Sequence, residues 1–422
     1  MIQLTERLNQ IFPASIFELN RGLTLIHQYL PATPVVVADI WVRAGAIAEP
    51  DEWTGIAHFL EHMVFKGSQR LGVGQFDQLI ENYGGFTNAA TSHDYAHFFL
   101  TTAAQYLSDA LPHLAEILLH PSLPEEEFFK EREVILEELR SCTDDPDWIA
   151  FQSLCETLYQ RHAYGRSILG SEAQLLSYTP HQLRCFHQTF YQPENITVVI
   201  VGGVKQEVAV SLVERSFSQF KVRSECPPYT AEAEPPLTSV RRTQIYLPRL
   251  EAARLSLAWM GPGVAQLPDA FGLDVLSVIL ASGRSSRLVR ELREEKQWVL
   301  DISSDFSLQQ DSSLFTISAL LDPDYLEPVE EAICHQMAKL PTTLTTAEVG
   351  RAQRLLCNDY TFSTETPGQL AGLYGYYQTI AQAELSVTYA EQIAQLQVSD
   401  LQRLASQYLL SDRYAVTVLS PR

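Results

Sequence analysis

Positions 54 to 67 read TGIAHFLEHMVFKG. Thr54 suits a helix N-cap and Gly67 a C-terminal stop, so the stretch predicts a helix between them. Ile56, Phe59, Leu60, Met63, Val64 and Phe65 surround that helix on a helical wheel. A helix that is apolar on nearly every side is buried, yet this one carries His58, Glu61 and His62. With roughly 100° of turn per residue, His62 lies about 40° from His58 and Glu61 about 60° to its other side. All three therefore point the same way. Two imidazoles one turn apart can grip one metal ion, and a carboxylate between them can reach a water on it. Buried polar groups require partners, which a metal supplies. The plainer alternative is a buried helix whose histidines bond backbone carbonyls.

The spacing is HxxEH, the inverse of the commoner HExxH zinc motif. Zinc favours neutral imidazole and carboxylate ligands in tetrahedral geometry, with one position open for catalysis. A third protein ligand is therefore needed. The segment 128–140, FFKEREVILEELR, reads as a helix with acids on its inward stripe. Taking Glu131 as zero, Phe128, Val134, Ile135 and Glu138 fall within about 60°, whereas Glu137 falls about 120° away and should face solvent. Glu138 is the expected ligand. Glu131, two turns earlier, is expected to orient a ligand from behind.

Further out, 85–91 reads as an edge strand. The chain also repeats itself. TPHQLRCFHQTFYQPENITVVIVGG, which ends the first half, matches VSDLQRLASQYLLSDRYAVTVLSPR at the C-terminus: a capped amphipathic helix, a polar turn and a β-branched strand. Leu183 pairs with Leu401 and Val198 with Val416, both 218 positions apart (401 − 183 and 416 − 198). Such a period fits a duplicated domain rather than a solenoid. Each half opens with strands (23–27 and 35–42; 244–247 and 253–259) and then a buried helix. Between them CPPYTAEAEPPLTS, with four prolines, reads as a linker. The expected organisation is a metal-bearing domain over 1–225, a linker over 226–239 and a homologous domain without ligands over 240–422. Strands and helices come in clumps, which predicts an α+β fold, each domain a mostly antiparallel sheet with helices packed on one face.

The segments GIAHFLEHMVFKGS, GGFTNAATSHDY and EREVILEELRSCTDDP, with the duplication, resemble the pitrilysin and insulinase zinc peptidases. The resemblance is especially to the mitochondrial processing peptidase branch, and it covers essentially the whole chain. In that family the third ligand lies 76 or 77 residues past the second histidine, and here 138 − 62 is 76. A further glutamate precedes that ligand by seven positions, matching Glu131. The resemblance implies homologous α+β domains around a closed chamber that admits unfolded peptides. It implies Zn2+ on His58, His62 and Glu138, with Glu61 as general base. It also implies an edge strand that pairs with substrate backbone through Asn88 and Ala89.

Two departures matter. The second half has FGLDVLSVILASG opposite the metal helix, with no histidine. The family also carries an Arg and a Tyr seven residues apart that bind substrate or the oxyanion. Arg293 fits the arginine, but position 300 is leucine. In the two-chain branch one subunit holds zinc and the other the Arg–Tyr pair, so this chain resembles the zinc subunit of a heterodimer. A homodimer using Tyr374, Tyr376 or Tyr377 is the alternative. So is a non-catalytic structural or peptide-holding subunit, like the related core proteins of the respiratory cytochrome bc complex. His93 and His97 fall where loop runs into strand. In a strand they would lie about 13 Å apart, so they read as structural.

The chain has 422 residues, 46% hydrophobic and 19% charged, enough for two or three domains with real cores. A net charge of −21 argues against nucleic acid and is compatible with a basic peptide. No apolar run reaches the roughly 18 residues of a membrane span. The start, MIQLTERLNQIF, lacks a secretory signal pattern. The six cysteines form no CxxC pair. Reduced thiols in the cytoplasm are the expectation.

Overall fold

The computed structural model describes residues 12–227 and 232–421. Residues 1–11, nearly all of the stretch read for a signal, and residues 228–231 of the expected linker lie outside the described residues.

The first sheet contains β1 (Ser15–Glu18), β2 (Thr24–Tyr29), β3 (Val35–Val42), β4 (Phe86–Thr91), β5 (Ala96–Ala103) and β6 (Ile196–Gly202), in the order β1-β2-β6-β3-β5-β4. The second contains β7 (Arg241–Tyr246), β8 (Ala253–Pro262), β9 (Val299–Leu308), β10 (Ser312–Leu321) and β11 (Ala415–Ser420), in the order β7-β11-β8-β10-β9. Remove β1 and the two orders superimpose. Each sheet has one parallel pair (β2 with β6, β7 with β11), and its other pairs are antiparallel. The fold is α+β with a duplicated domain. Val198 of β6 sits opposite Leu25 and Ile40, and its counterpart Val416 of β11 opposite Arg242 and Leu257.

The compact units do not follow a single cut at the linker. One comprises Met1–Ser141, Arg166–Ala231 and Ser363–Val387, and the other Cys142–Gly165, Glu232–Phe362 and Thr388–Arg422. Each sheet therefore borrows a helix from the other half of the sequence. Helix Pro367–Ile380 packs on β3 and β6, and helix Pro146–Leu158 on β7, β8 and β11. The reason is visible in β3 and β6, VVVADIWV and ITVVIVG, which are apolar with no alternation. Strands of that kind need cover on both faces. In the first unit the second face (Ile26, Val37, Trp41, Val199, Val201) is covered by Leu370, Ala371 and Tyr374. Tyr374 also donates to Gln28 Oε1 at 2.8 Å, so it serves packing. Among the described residues one window, Val264–Ala281, is long and apolar enough to cross a membrane. Most of it is buried in the second unit, as befits a core helix.

Gly375 marks how closely the borrowed helix sits. A Cβ there would come within 2.0 Å of Trp41 Nε1. Gly375→Val is expected to destabilise the chain by about 1–3 kcal/mol through overpacking. Chemical denaturation followed by Trp fluorescence checks this, and an unchanged midpoint would contradict the docking of this helix on β3.

Candidate metal centre

The helix carrying the motif runs over Ile56–Val64. Its apolar residues are buried, and so is His58, but Glu61 and His62 are only half-buried. The helix is thus enclosed except along one edge. Thr54 does not cap it. The N-cap is Gly55, in the left-handed region at φ 92, and Thr54 Oγ1 instead donates to the Asp51 carbonyl at 3.2 Å. The capping acceptor is Glu49, whose carboxylate takes the N–H groups of Gly55 at 2.9 Å and Ala57 at 2.8 Å. Tyr178 donates to the Thr54 carbonyl at 2.7 Å. Nothing in the local pattern marked Glu49, because Thr54 offered the more ordinary cap.

The second helix runs over Glu125–Asp144, longer than expected. Phe128, Glu131, Ile135, Leu136 and Leu139 are buried, and Glu137 is exposed as expected. Val134 is not inward: it is 51% exposed. The buried face is centred to one side of Glu131, away from Val134, which leaves Glu138 at its margin with a side chain 40% exposed.

There the two helices meet. His58, His62 and Glu138 each bring one ligand atom, all within 4.8 Å of one another. His58 Nε2 lies 3.8 Å from Glu138 Oε1, and His62 Nε2 lies 3.5 Å from Glu138 Oε2. His62 Nδ1 bonds Glu131 Oε1 at 2.9 Å, which leaves Nε2 for the cluster. Lys66 Nζ holds the other Glu131 oxygen at 2.7 Å, one turn past His62, and was not singled out from sequence. Burial, and then the neighbouring His62, push the His58 imidazole down to about 3. It is therefore neutral at pH 7, as a metal requires. Its Nδ1 is buried with no hydrogen-bond partner among the described residues. Burial also acts to lower His62, but the Glu131 hydrogen bond and the charges of Glu61, Glu131 and Glu138 win and raise it. Glu61, Glu131 and Glu138 bring three formal negative charges to one edge and Lys66 offsets one. A divalent cation matches the remainder, so the residues fit a metal.

Burial raises the Glu61 carboxyl above its ordinary value, opposed by a hydrogen bond from Thr91 Oγ1 at 2.5 Å to Oε2. Thr91 ends β4, the open edge of its sheet, so this bond ties that edge to the motif helix. Asn88 and Ala89 lie on the same strand. The Ala89 N–H is taken by the Asn88 side chain at 2.9 Å rather than by β5, so it points off the open edge. Arg293 belongs to the second unit, where it pairs with Glu294 at 3.0 Å and Asp301 at 3.5 Å, and Leu300 is 67% exposed. His93 bonds the Arg166 carbonyl at 3.1 Å, and His97 bonds Asp39 at 3.1 Å and stacks on Trp41.

Residues 24–172 match the family model described as Insulinase (Peptidase family M16), and residues 177–356 match Peptidase M16 inactive domain. The zinc protease PqqE of Helicobacter pylori is 29% identical over 96% of this chain and 92% of its own. A probable mitochondrial-processing peptidase subunit beta of Arabidopsis thaliana is 26% identical, over 96% of this chain and 77% of that one. The crystal structure of a protease from Helicobacter pylori superimposes with a TM-score of 0.91 and 28% identity, covering 97% of this chain and 99% of that one.

The cap carries its own prediction. Glu49→Ala strands two buried N–H groups and is expected to cost about 2–4 kcal/mol. Burial pushes the Glu49 carboxyl from 4.5 up to about 8, against its backbone hydrogen bonds. A raised carboxyl makes folding take up a proton, so the stability it confers is full below pH 4.5 and is lost as pH rises through about 8. Glu49→Gln cannot titrate and is expected to flatten that fall, read from denaturation midpoints across the range.

Proposed function

We propose that this chain, whose residues 24–172 and 177–356 both match models of the insulinase (peptidase M16) family, is a zinc-dependent endopeptidase of unfolded peptides and the metal-bearing subunit of a two-chain enzyme. The observation that carries this reading is the convergence of His58, His62 and Glu138 with Glu61 on the same open helix edge. When bound there, zinc would polarise the scissile carbonyl and acidify a water. His58 and His62 would hold the ion from one helix and Glu138 from the other, while Glu131 and Lys66 fix the His62 ring. Glu61 takes a proton from the attacking water and delivers it to the leaving amine. Its raised pKa suits both halves of that transfer, and Thr91 holds its orientation. Substrate adds as a strand to β4, with the Ala89 N–H as a donor once Asn88 releases it. Backbone pairing of this kind makes little demand on sequence.

Leu300 favours the two-chain form. An exposed leucine donates no hydrogen bond to an oxyanion, and Arg293 is engaged by Glu294 and Asp301. An Arg–Tyr subunit would supply what is missing. The same observation keeps a peptide-holding subunit as the second reading. Cleavage of a quenched, unstructured, basic peptide separates them. The expected results are one bound zinc per chain, loss of cleavage with chelator, and a fall of about 10²–10⁴ in kcat for Glu61→Gln with zinc retained. Addition of an Arg–Tyr subunit is expected to raise the rate. Bound zinc with no cleavage under either condition would favour the holding role, and a chain that binds no zinc after chelator-free purification would sink both.

A further inference from the structure

Cys185 and Cys226 are 41 positions apart and form no sequence motif, yet the fold brings their sulfurs to 3.6 Å. Cys185 sits on helix Pro180–Phe190, whose buried face (Leu183, Phe186, His187) packs toward the core and which itself lies against the metal-bearing helix. Cys226 ends the segment that leads into the linker. That segment is laced along the helix. Ser224 N–H donates to the Gln188 carbonyl at 3.4 Å, Cys226 N–H to Thr189 Oγ1 at 3.2 Å, and Gln192 Nε2 to the Lys221 carbonyl at 3.3 Å. The Thr189 hydroxyl lies 3.2 Å from Cys226 Sγ, and Ser224 Oγ lies 3.4 Å from Cys185 Sγ. Neither thiol is fully buried. With Cys185 fixed on its helix and the other segment tied to that helix at Lys221, Ser224 and Cys226, side-chain rotation is the movement left to bring the sulfurs to a bond of about 2.05 Å.

We infer that Cys185 and Cys226 form a redox-modification site, in which a low-molecular-weight disulfide oxidises the pair to a staple fastening the start of the linker to helix Pro180–Phe190. The Cys226 thiol donates toward Cys185 Sγ, and burial raises it above the ordinary thiol value, so Cys185 is the first to attack. The Cys185 thiolate displaces one thiolate from oxidised glutathione and forms a mixed disulfide. Cys226 then gives up its proton and attacks the Cys185 sulfur, which expels the second glutathione. Two electrons pass from the protein thiols to the glutathione disulfide, and the two released thiols carry the two protons. The other four cysteines take no part. The expectation of reduced thiols thus describes one of two states, set by the redox poise around the protein.

The test uses the full chain, reduced and freed of reductant, then incubated with oxidised glutathione and digested without reduction. Mass spectrometry is expected to find the Cys185 and Cys226 peptides joined, without glutathione, and separated by dithiothreitol. Cys226→Ser is expected to stop one step earlier, with one glutathione retained on Cys185. A wild type that keeps glutathione on Cys185, or that leaves both thiols free, overturns the proposal. Closing a loop of 41 positions is also expected to raise the melting temperature of the oxidised chain by on the order of a few degrees. A bridge with no such shift would overturn its role as a staple. Neither readout depends on metal or cleavage, so the peptidase reading can fail separately.

Discussion

The two N–H groups that Glu49 accepts, from Gly55 and Ala57, set where the motif helix begins. Nine residues are too few for a stable helix on their own. Its position must come from outside it, and its ends are where that can be imposed. At Gly55 the backbone is left-handed and so close to Leu169 and Gly170 that a Cβ would meet the Leu169 carbonyl at 2.7 Å. Once the first turn is fixed, every later residue has a fixed direction. His58, Glu61 and His62 then share the helix edge that the core leaves open, and the burial of Ile56, Phe59, Leu60, Met63 and Val64 prevents rotation.

Such an edge concentrates charge in a poorly solvated place, and the neighbouring elements manage it. Glu131 is held below the usual carboxylate range, burial opposing, by hydrogen bonds from His62 and Lys66. Glu61 is raised by burial, against the Thr91 hydrogen bond and the nearby His62. Two glutamates on neighbouring helices are thus pushed in opposite directions. One stays charged to orient a ring, and the other is poised to exchange a proton.

Much of this was legible in the sequence because it depends on periodicity. The wheel places His58, Glu61 and His62 together, puts Glu131 and Glu138 on one stripe and turns Glu137 outward. It misplaces Val134, because periodicity gives the spacing of a stripe and not its centre. The centre is set by what packs against it, here nearer Phe128, Ile135 and Leu139. The duplication was visible in the matched ends, down to Val198 and Val416. What stayed hidden depended on contacts between distant segments: Glu49 as a cap, the Cys185–Cys226 encounter and the exchange of helices. The lack of alternation in β3 and β6 showed that both faces must be covered. It could not show that residues 367–380 would provide the cover.

That exchange has a consequence for how the protein is made. When residue 231 leaves the ribosome, every strand of the first sheet exists, but Trp41 and its neighbours still face water. Their cover arrives more than a hundred positions later, after most of the second unit has been synthesised. A first half on its own has every strand of its sheet but not the helix that covers the Trp41 face, so neither half is a separable part. A gene split at the linker would yield two fragments, each missing one helix of its own unit and carrying one that belongs to the other.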